Sequence, residues 1–209
     1  MILGRRWFKL KKHWANLISG LRILGICLIF FLVPFSSGFG QKFVISLYLV
    51  LACTACLDGL IARSRFGQVT NLGKILDPMA DKILVLIYLP ILEMGAISSL
   101  PVFVLLARDI IITTLRVFAA RNGEIMAAKL TGKIRTSISL PLAAILLCRI
   151  KVPSVSETAA DWFGQIIGWV QSWPSLLISF LVWSLVFVTL ISMIEYFSVF
   201  FLKAENRQS

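Results

Sequence analysis

The stretch Trp173–Phe200, WPSLLISFLVWSLVFVTLISMIEYFSVF, contains one charged residue, Glu195, near its far end. A run this long and apolar exceeds the roughly 20 residues that an α-helix needs to cross a bilayer. Pro174 stands at its start, where a missing N–H costs a helix no hydrogen bond. Comparable apolar runs lie upstream at about 17–36, 43–63, 77–97, 100–120 and 131–149, so six membrane-spanning helices are expected. Just before the last run, DWFGQIIGWVQSW carries three Trp residues that suit the aromatic belt at a membrane–water boundary.

The composition of the whole chain agrees. Of its 209 residues 58% are hydrophobic and 15% charged, and the mean hydropathy is +0.90. A soluble domain of this length could not bury so much apolar surface in one core. The N-terminal MILGRRWFKLKKHWAN alternates basic residues with Trp7, Phe8, Leu10 and Trp14, the pattern of an amphipathic helix lying in the headgroup plane. A cleaved signal peptide is the rival interpretation; the apolar run that follows is too long, and no small-residue cleavage site ends it before further spans. His13, the one histidine, lies in this segment and suits an interface better than catalysis. The expected fold is therefore all-α and polytopic: an interfacial helix over residues 1–15, a six-helix domain over 16–202 and a tail over 203–209.

The net charge of +11 has a membrane explanation. No basic run is interleaved with aromatics in a soluble module, which excludes nucleic acid as the expected partner. Basic residues gather instead at alternate connections: Arg5, Arg6, Lys9, Lys11 and Lys12; Arg63, Arg65 and Lys74; Arg121, Lys129, Lys133 and Arg135; Lys203 and Arg207. The connections SSGFGQ and GAISSLP carry no charge, and the one holding Arg149, Lys151, Glu157 and Asp161 is mixed. With six spans every basic connection falls on one side, so both termini are expected in the cytoplasm. Cys27, Cys53, Cys56 and Cys148 all lie in apolar segments, which implies no disulfide framework and makes the Cys53-x-x-Cys56 pair a membrane-helix feature rather than a redox motif.

Charges inside or at the rim of apolar spans are costly and therefore informative. The densest set lies in LDGLIARSRFGQVTNLGKILDPMADK. Asp58 and Gly59 come near the end of the second span, Ala62 and Arg63 follow one turn later, and Gly73 precedes Asp77 and Asp81. Asp77 and Asp81 are four residues apart and share a helical face. Three carboxylates at an aqueous rim repel one another unless a cation neutralises them, and all-oxygen ligation suits Mg²⁺ or Mn²⁺ with a phosphate-bearing substrate. Gly59 and Gly73 leave room for a phosphate or nucleotide to approach the backbone. The alternative is structural: helix caps, Asp77 before Pro78 above all, or pairing with Arg63, Arg65, Lys74 and Lys82. Spacing alone leaves both open.

The pattern Asp58-Gly59-x2-Ala62-Arg63-x9-Gly73-x3-Asp77-x3-Asp81 resembles the signature of the CDP-alcohol phosphatidyltransferase family. The resemblance implies a six-helix, homodimeric membrane enzyme that displaces CMP from a CDP-linked lipid or alcohol. It also implies that Asp58, Asp77 and Asp81 hold Mg²⁺ or Mn²⁺, two ions in the family, that Asp81 is the general base, and that Gly59, Ala62, Arg63 and Gly73 shape the CDP pocket. The family pattern has a further metal-binding Asp three residues before Asp58, where this chain has Ala55. Neither neighbour supplies a substitute, since Thr54 and Cys56 point elsewhere on a helix and a thiol is a poor magnesium ligand.

Further similarities run along most of the chain. Asn16-Leu-Ile-Ser-Gly-Leu-Arg22 is similar to the opening of the family's first helix. Arg108-Asp109-x6-Arg116, Gly132-Lys133-Ile134-Arg135-Thr136 and Ser192-x3-Tyr196 resemble motifs of the bacterial branch that makes phosphatidylglycerophosphate. That branch implies CDP-diacylglycerol as donor, glycerol 3-phosphate as acceptor, membrane lipids as surroundings and the bacterial cytoplasmic membrane as location, with the site on its cytoplasmic side. A phosphorylated acceptor carries about two negative charges near neutral pH, and Arg108, Arg116, Lys133 and Arg135 would provide its cationic seat. The alternatives are an anchor role for Lys133 and Arg135 and structural pairing of Arg108 and Arg116 with Asp109 or Glu93. Another acceptor, such as phosphatidylglycerol or inositol phosphate, and CDP-lipid binding without turnover remain the competing functions.

Overall fold

Apolar runs separated by short polar connections fold into helices throughout the computed structural model, which describes residues 19–35, 38–61, 79–80, 82–121, 130–150 and 162–205. Side chains at 35, 38–39, 56–61 and 201–205 are outside that description. The helices are α1 (Ser19–Leu32, continued by a 3₁₀ turn, Val33–Phe35), α2 (Gly38–Ile61), α3 (Tyr88–Glu93), α4 (Ser99–Arg121), α5 (Leu130–Arg149), α6 (Trp162–Gln171) and α7 (Ser175–Glu205). No strand occurs among the described residues. The proposed interfacial helix over 1–15 lies outside them, and α7 continues helical to Glu205, into the segment expected as a tail.

α5 is the central element, packed against α2, α6 and α7, while α4 packs against α7. α1 approaches α2 closely because residue 25 is glycine: a Cβ there would lie 2.8 Å from Leu51 Cδ1. The core joins Ile29 and Val33, Ile45 and Tyr48, Ile87 and Ile91, Leu105, Leu146 and Leu147, Ile167 and Leu185. At one end of the bundle, Gln41 Nε2 donates to the carbonyls of Ile150 (2.8 Å) and Leu147 (3.2 Å), which the end of α5 leaves without helical partners. Arg149 Nη1 donates to the carbonyls of Trp173 (2.7 Å) and Gln171 (2.9 Å), tying α5 to the turn between α6 and α7.

The surface is apolar where a soluble bundle would be polar. α7 buries Ile178, Val182, Leu185, Thr189, Ser192 and Tyr196 on one face. On the opposite face Leu176 is 82% exposed, Phe180 73%, Phe187 65% and Ile194 67%. In water each such side chain forgoes about 1.5–3 kcal/mol of burial, whereas hydrocarbon imposes no such loss. α5 and the Ser175–Phe200 portion of α7 are long and apolar enough to cross a membrane; Ser19–Leu32 and Gly40–Ala55 are shorter apolar helices. α4 is long as well, but Arg108, Asp109, Arg116 and Arg121 interrupt it.

The segment expected as one helix over 77–97 is broken. Its described part is helical at 79–80 and 82–85, turns at 86–87 and resumes as α3. Pro90 explains the break, because its ring crowds the carbonyl of Leu86, four residues back. The chain tightens there through i→i−3 bonds from Leu86 N to Ile83 O (3.0 Å) and from Leu89 N to Leu86 O (2.9 Å). α3 then stops at Gly95, whose φ of +72° is open to glycine without strain. Gly95 N bonds Leu92 O (2.9 Å) and Ala96 N bonds Ile91 O (3.1 Å), the paired bonds of a Schellman stop.

Candidate active site

Three of the four basic residues expected to seat an acceptor phosphate converge where α4, α5 and α7 meet. Arg108 and Arg135 are 8% and 4% exposed, and both bind Asp109. Arg135 meets the carboxylate with both ends of its fork, Nη1 to Oδ1 at 2.8 Å and Nη2 to Oδ2 at 2.9 Å. Arg108 Nη1 reaches the same Oδ1 at 3.0 Å, and its Nη2 donates to Ser192 Oγ at 2.7 Å. Two buried guanidiniums would repel one another. Asp109 between them turns that repulsion into a bridged pair.

α7 supplies the third side. Ser192 and Tyr196 are four residues apart, so both project from the buried face. The Tyr196 hydroxyl accepts a hydrogen bond from Arg116 Nη2, and its ring lies under the Arg116 guanidinium (5.0 Å to the centroid) and near that of Arg108 (5.7 Å). Gly132 faces the same place: a Cβ there would stand 3.6 Å from Arg108 Nη2 and 3.8 Å from the Tyr196 hydroxyl. Thr131 donates to Glu195 Oε2 at 2.5 Å, which joins the start of α5 to α7. The Nε–H groups of Arg108 and Arg135 are buried and have no hydrogen-bond partner among the described residues. A buried charged donor left unfilled is costly and calls for a partner such as a water, an ion or a ligand atom.

Lys133, the fourth expected basic residue, is exposed and turned away from Arg135, as a two-residue step on a helix dictates. Arg116 is exposed at one edge of the cluster. The pairing of Arg108 with Asp109, weighed as a structural alternative, does occur, and Arg135 shares it. Glu93 is exposed and lies on α3, outside the cluster. On α1, Ser19 and Arg22 are buried.

Among the carboxylates, Asp58 has its backbone in the last turns of α2, while Asp77 and Asp81, with Ala62, Arg63 and Gly73, lie outside the described residues; Gly59 belongs to α2. The register of α2 against α5 is antiparallel, from Gln41 beside Leu147 to Tyr48, whose hydroxyl donates to Leu140 O at 3.1 Å. Continued at equal rise along both helices, that register brings the backbone at 55–58 level with Leu130–Lys133. The end of α2 that carries Asp58 is therefore the end that carries the arginine cluster. Ala55 is half-buried against the core and carries no oxygen donor, and the Thr54 hydroxyl donates to Leu51 O at 2.7 Å. No group of three His, Cys, Asp or Glu side chains suited to a metal occurs among the described residues.

Asp109, Ser192, Tyr196 and the Thr131–Glu195 pair complete the site beyond the residues expected to bind phosphate. Their signal was present: two polar residues at i and i+4 in an otherwise apolar helix, and an acid beside an arginine within a span.

Comparison with known proteins gives the family. Residues 12–194 match the family model for CDP-alcohol phosphatidyltransferase. A CDP-diacylglycerol–glycerol-3-phosphate 3-phosphatidyltransferase of Bacillus subtilis is 34% identical over 154 residues, covering 73% of this chain and 70% of its own. A protein of the same name from Rickettsia prowazekii is 26% identical over 170 residues, covering 81% and 92%. Another, from Salmonella typhimurium, is 34% identical over 142 residues, covering 64% and 78%. With the family match extending from before α1 into α7, the chain belongs to the CDP-alcohol phosphatidyltransferase family.

Proposed function

We propose that the chain is an integral membrane enzyme that transfers the phosphatidyl group of CDP-diacylglycerol to glycerol 3-phosphate, releasing CMP and giving phosphatidylglycerophosphate. The observation that carries this is the buried arginine cluster with two Nε–H donors unfilled among the described residues, suited to a phosphate that an uncharged acceptor would not need. Relatives that carry the name of this activity support the choice of acceptor.

In this proposal six helices cross the bacterial cytoplasmic membrane with both termini in the cytoplasm, as the basic connections favour. The protein works as a homodimer, with residues 1–15 on the membrane surface, 16–202 as the catalytic domain and 203–209 as the tail. CDP-diacylglycerol enters from the inner leaflet with its tails among lipids. Gly59, Ala62, Arg63 and Gly73 line its nucleotide, and Arg108, Arg116 and Arg135 hold the acceptor phosphate. Lys133, exposed at the start of α5, attracts the acceptor from solution. Asp81 takes the proton of the free primary hydroxyl, whose oxygen bonds to the phosphorus attached to diacylglycerol. The bond from that phosphorus to the oxygen of CMP breaks, and CMP leaves with the electron pair.

Asp58, Asp77 and Asp81 offer hard oxygen donors that fit Mg²⁺ or Mn²⁺, with one carboxylate fewer than the family pattern because Ala55 has no donor atom. When bound, such an ion polarises the phosphate and offsets charge on CMP. Ala55 also favours a second function, CDP-lipid binding without turnover. Purified protein in lipid discs, given CDP-diacylglycerol, Mg²⁺ or Mn²⁺ and one of glycerol 3-phosphate, phosphatidylglycerol or inositol phosphate, separates the cases. CMP release with glycerol 3-phosphate alone is expected. Release with a different acceptor changes the substrate, and folded protein that releases CMP with none of them is a binder.

A further inference from the structure

We infer that Asp109 is a positioning residue for the acceptor: it fixes Arg108 and Arg135 by their terminal nitrogens and so leaves their Nε–H groups to the acceptor phosphate. This rests on the proposed use of glycerol 3-phosphate and adds how the phosphate is gripped. A guanidinium has one Nε–H and two terminal nitrogens. In Arg135 both terminal nitrogens are on Asp109, with Leu105 O a further acceptor at 3.4 Å. In Arg108 one is on Asp109 and the other on Ser192. Among the described residues the one nitrogen of each that has no hydrogen-bond partner at all is Nε, and both are buried. The orphans therefore fall at the same atom of the two side chains that share one carboxylate. An arginine held through its terminal nitrogens can rotate little about its remaining bonds, so its Nε–H is presented in a fixed place.

The sign of one substitution separates this role from its rivals. If Asp109 were only a counter-ion, removing its charge would leave the cluster more positive, and an anion would bind more tightly. If it positions, Asp109→Asn breaks the two-pronged grip on Arg135 and the bridge to Arg108, and the phosphate binds less tightly despite the added positive charge. If it serves only the fold, stability, turnover and both substrate affinities decline together.

The test uses the full chain in lipid discs as wild type, Asp109→Asn and Asp109→Glu. Affinity for glycerol 3-phosphate, with glycerol and inorganic phosphate as controls, is measured by calorimetry without CDP-lipid, and KM and kcat follow by CMP release. Asp109→Asn is expected to raise Kd and KM for glycerol 3-phosphate about tenfold or more, the effect of misplacing hydrogen bonds to charged groups. The KM for CDP-diacylglycerol should not move, kcat should change less, and Asp109→Glu should recover part of the affinity. Tighter or unchanged phosphate binding in Asp109→Asn overturns the inference, as does a parallel fall in kcat and in both affinities. If Asp109→Asn does not fold, Asp109→Glu decides: its carboxylate is displaced by one methylene, so a raised Kd supports the inference and a wild-type Kd overturns it. Wild-type protein that binds glycerol 3-phosphate but turns over no acceptor refutes the proposed function while the Kd series still reads Asp109. Wild type that binds neither glycerol 3-phosphate nor inorganic phosphate removes both.

Discussion

Replacing Ser192 by Ala tests whether the arginine cluster is held by α7 or merely lies beside it. The hydroxyl is fully buried, accepts from Arg108 Nη2 at 2.7 Å, and belongs to a different helix from its partner. Hydrogen bonds to charged groups contribute about 1.5–3 kcal/mol. Interhelical hydrogen bonds within membranes average nearer 0.6 kcal/mol, with a maximum near 1.7. An ionised donor with both ends buried belongs at the upper end of the second range, so about 1.5 kcal/mol is expected. For a chain of this size that corresponds to a fall of about 3–6 °C in Tm. Ser to Ala removes one oxygen and leaves almost no void, so cavity formation cannot account for such a loss. The assay is thermal unfolding in one fixed detergent, run also in an Arg108→Met background, where the hydrogen bond no longer exists. There Ser192→Ala should cost almost nothing. An equal fall in both backgrounds, or a fall below about 1 °C in the wild type, would refute the argument that this contact joins α4 to α7.

Other substitutions divide the cluster further. Tyr196→Phe keeps the ring under Arg116 and Arg108 but loses the hydroxyl, so KM for glycerol 3-phosphate should rise about threefold to tenfold; Tyr196→Leu also loses the cation–π contact and should raise it further. Arg135→Lys keeps the charge but cannot occupy both oxygens of Asp109, and should raise that KM about tenfold or more. Lys133→Ala, at an exposed position away from the cluster, should change it less than about threefold, and mostly at low salt. Ala55→Asp should lower the Mg²⁺ or Mn²⁺ concentration for half-maximal CMP release about tenfold or more, as an added carboxylate ligand would. Without divalent ions the same variant should unfold at lower temperature than wild type, because a half-buried carboxylate is then unmatched. An unchanged metal titration would show that position 55 does not face the ion.

Helix positions were largely legible from the sequence, because apolar runs and their interruptions report directly on backbone that must satisfy its own hydrogen bonds. The break before Pro90 was not, although its cause was: the expected span over 77–97 gave length more weight than a proline that has no N–H to offer the carbonyl of Leu86. Arg108, Arg116 and Arg135 were recognised as one group, yet their mutual arrangement was not, since Asp109 adjoins Arg108 in sequence and meets Arg135 only through tertiary packing. Ser192 and Tyr196 were visible as a motif without a role, because their partners are on other helices. Lys133 joins Arg135 in the expected seat through its charge and the shared motif, and helical geometry separates them.

The same physics explains why this site is built from arginines within spans. Between helices in lipid there is no hydrophobic drive to association, since the surrounding chains are as apolar as Leu176 or Phe180. Close packing and polar contacts must supply it. Here one close approach is at Gly25, and four of the polar contacts are Tyr48 to Leu140, Tyr88 to Ser139 (2.8 Å to its carbonyl), Arg108 to Ser192 and Arg135 to Asp109. Three of these four polar contacts end on α5, and the two that involve guanidiniums lie at the end of the bundle level with Asp58. A charged group there is tolerated because Asp109 and Ser192 satisfy it; among the described residues they satisfy it only in part, which is what the proposed phosphate seat would use. If the cluster is the proposed phosphate seat, filling these two Nε–H donors with protein acceptors should stabilise the bundle and abolish its affinity for phosphate. Stability and function draw on the same hydrogen-bonding groups, so at this cluster a gain in one is expected to come as a loss in the other.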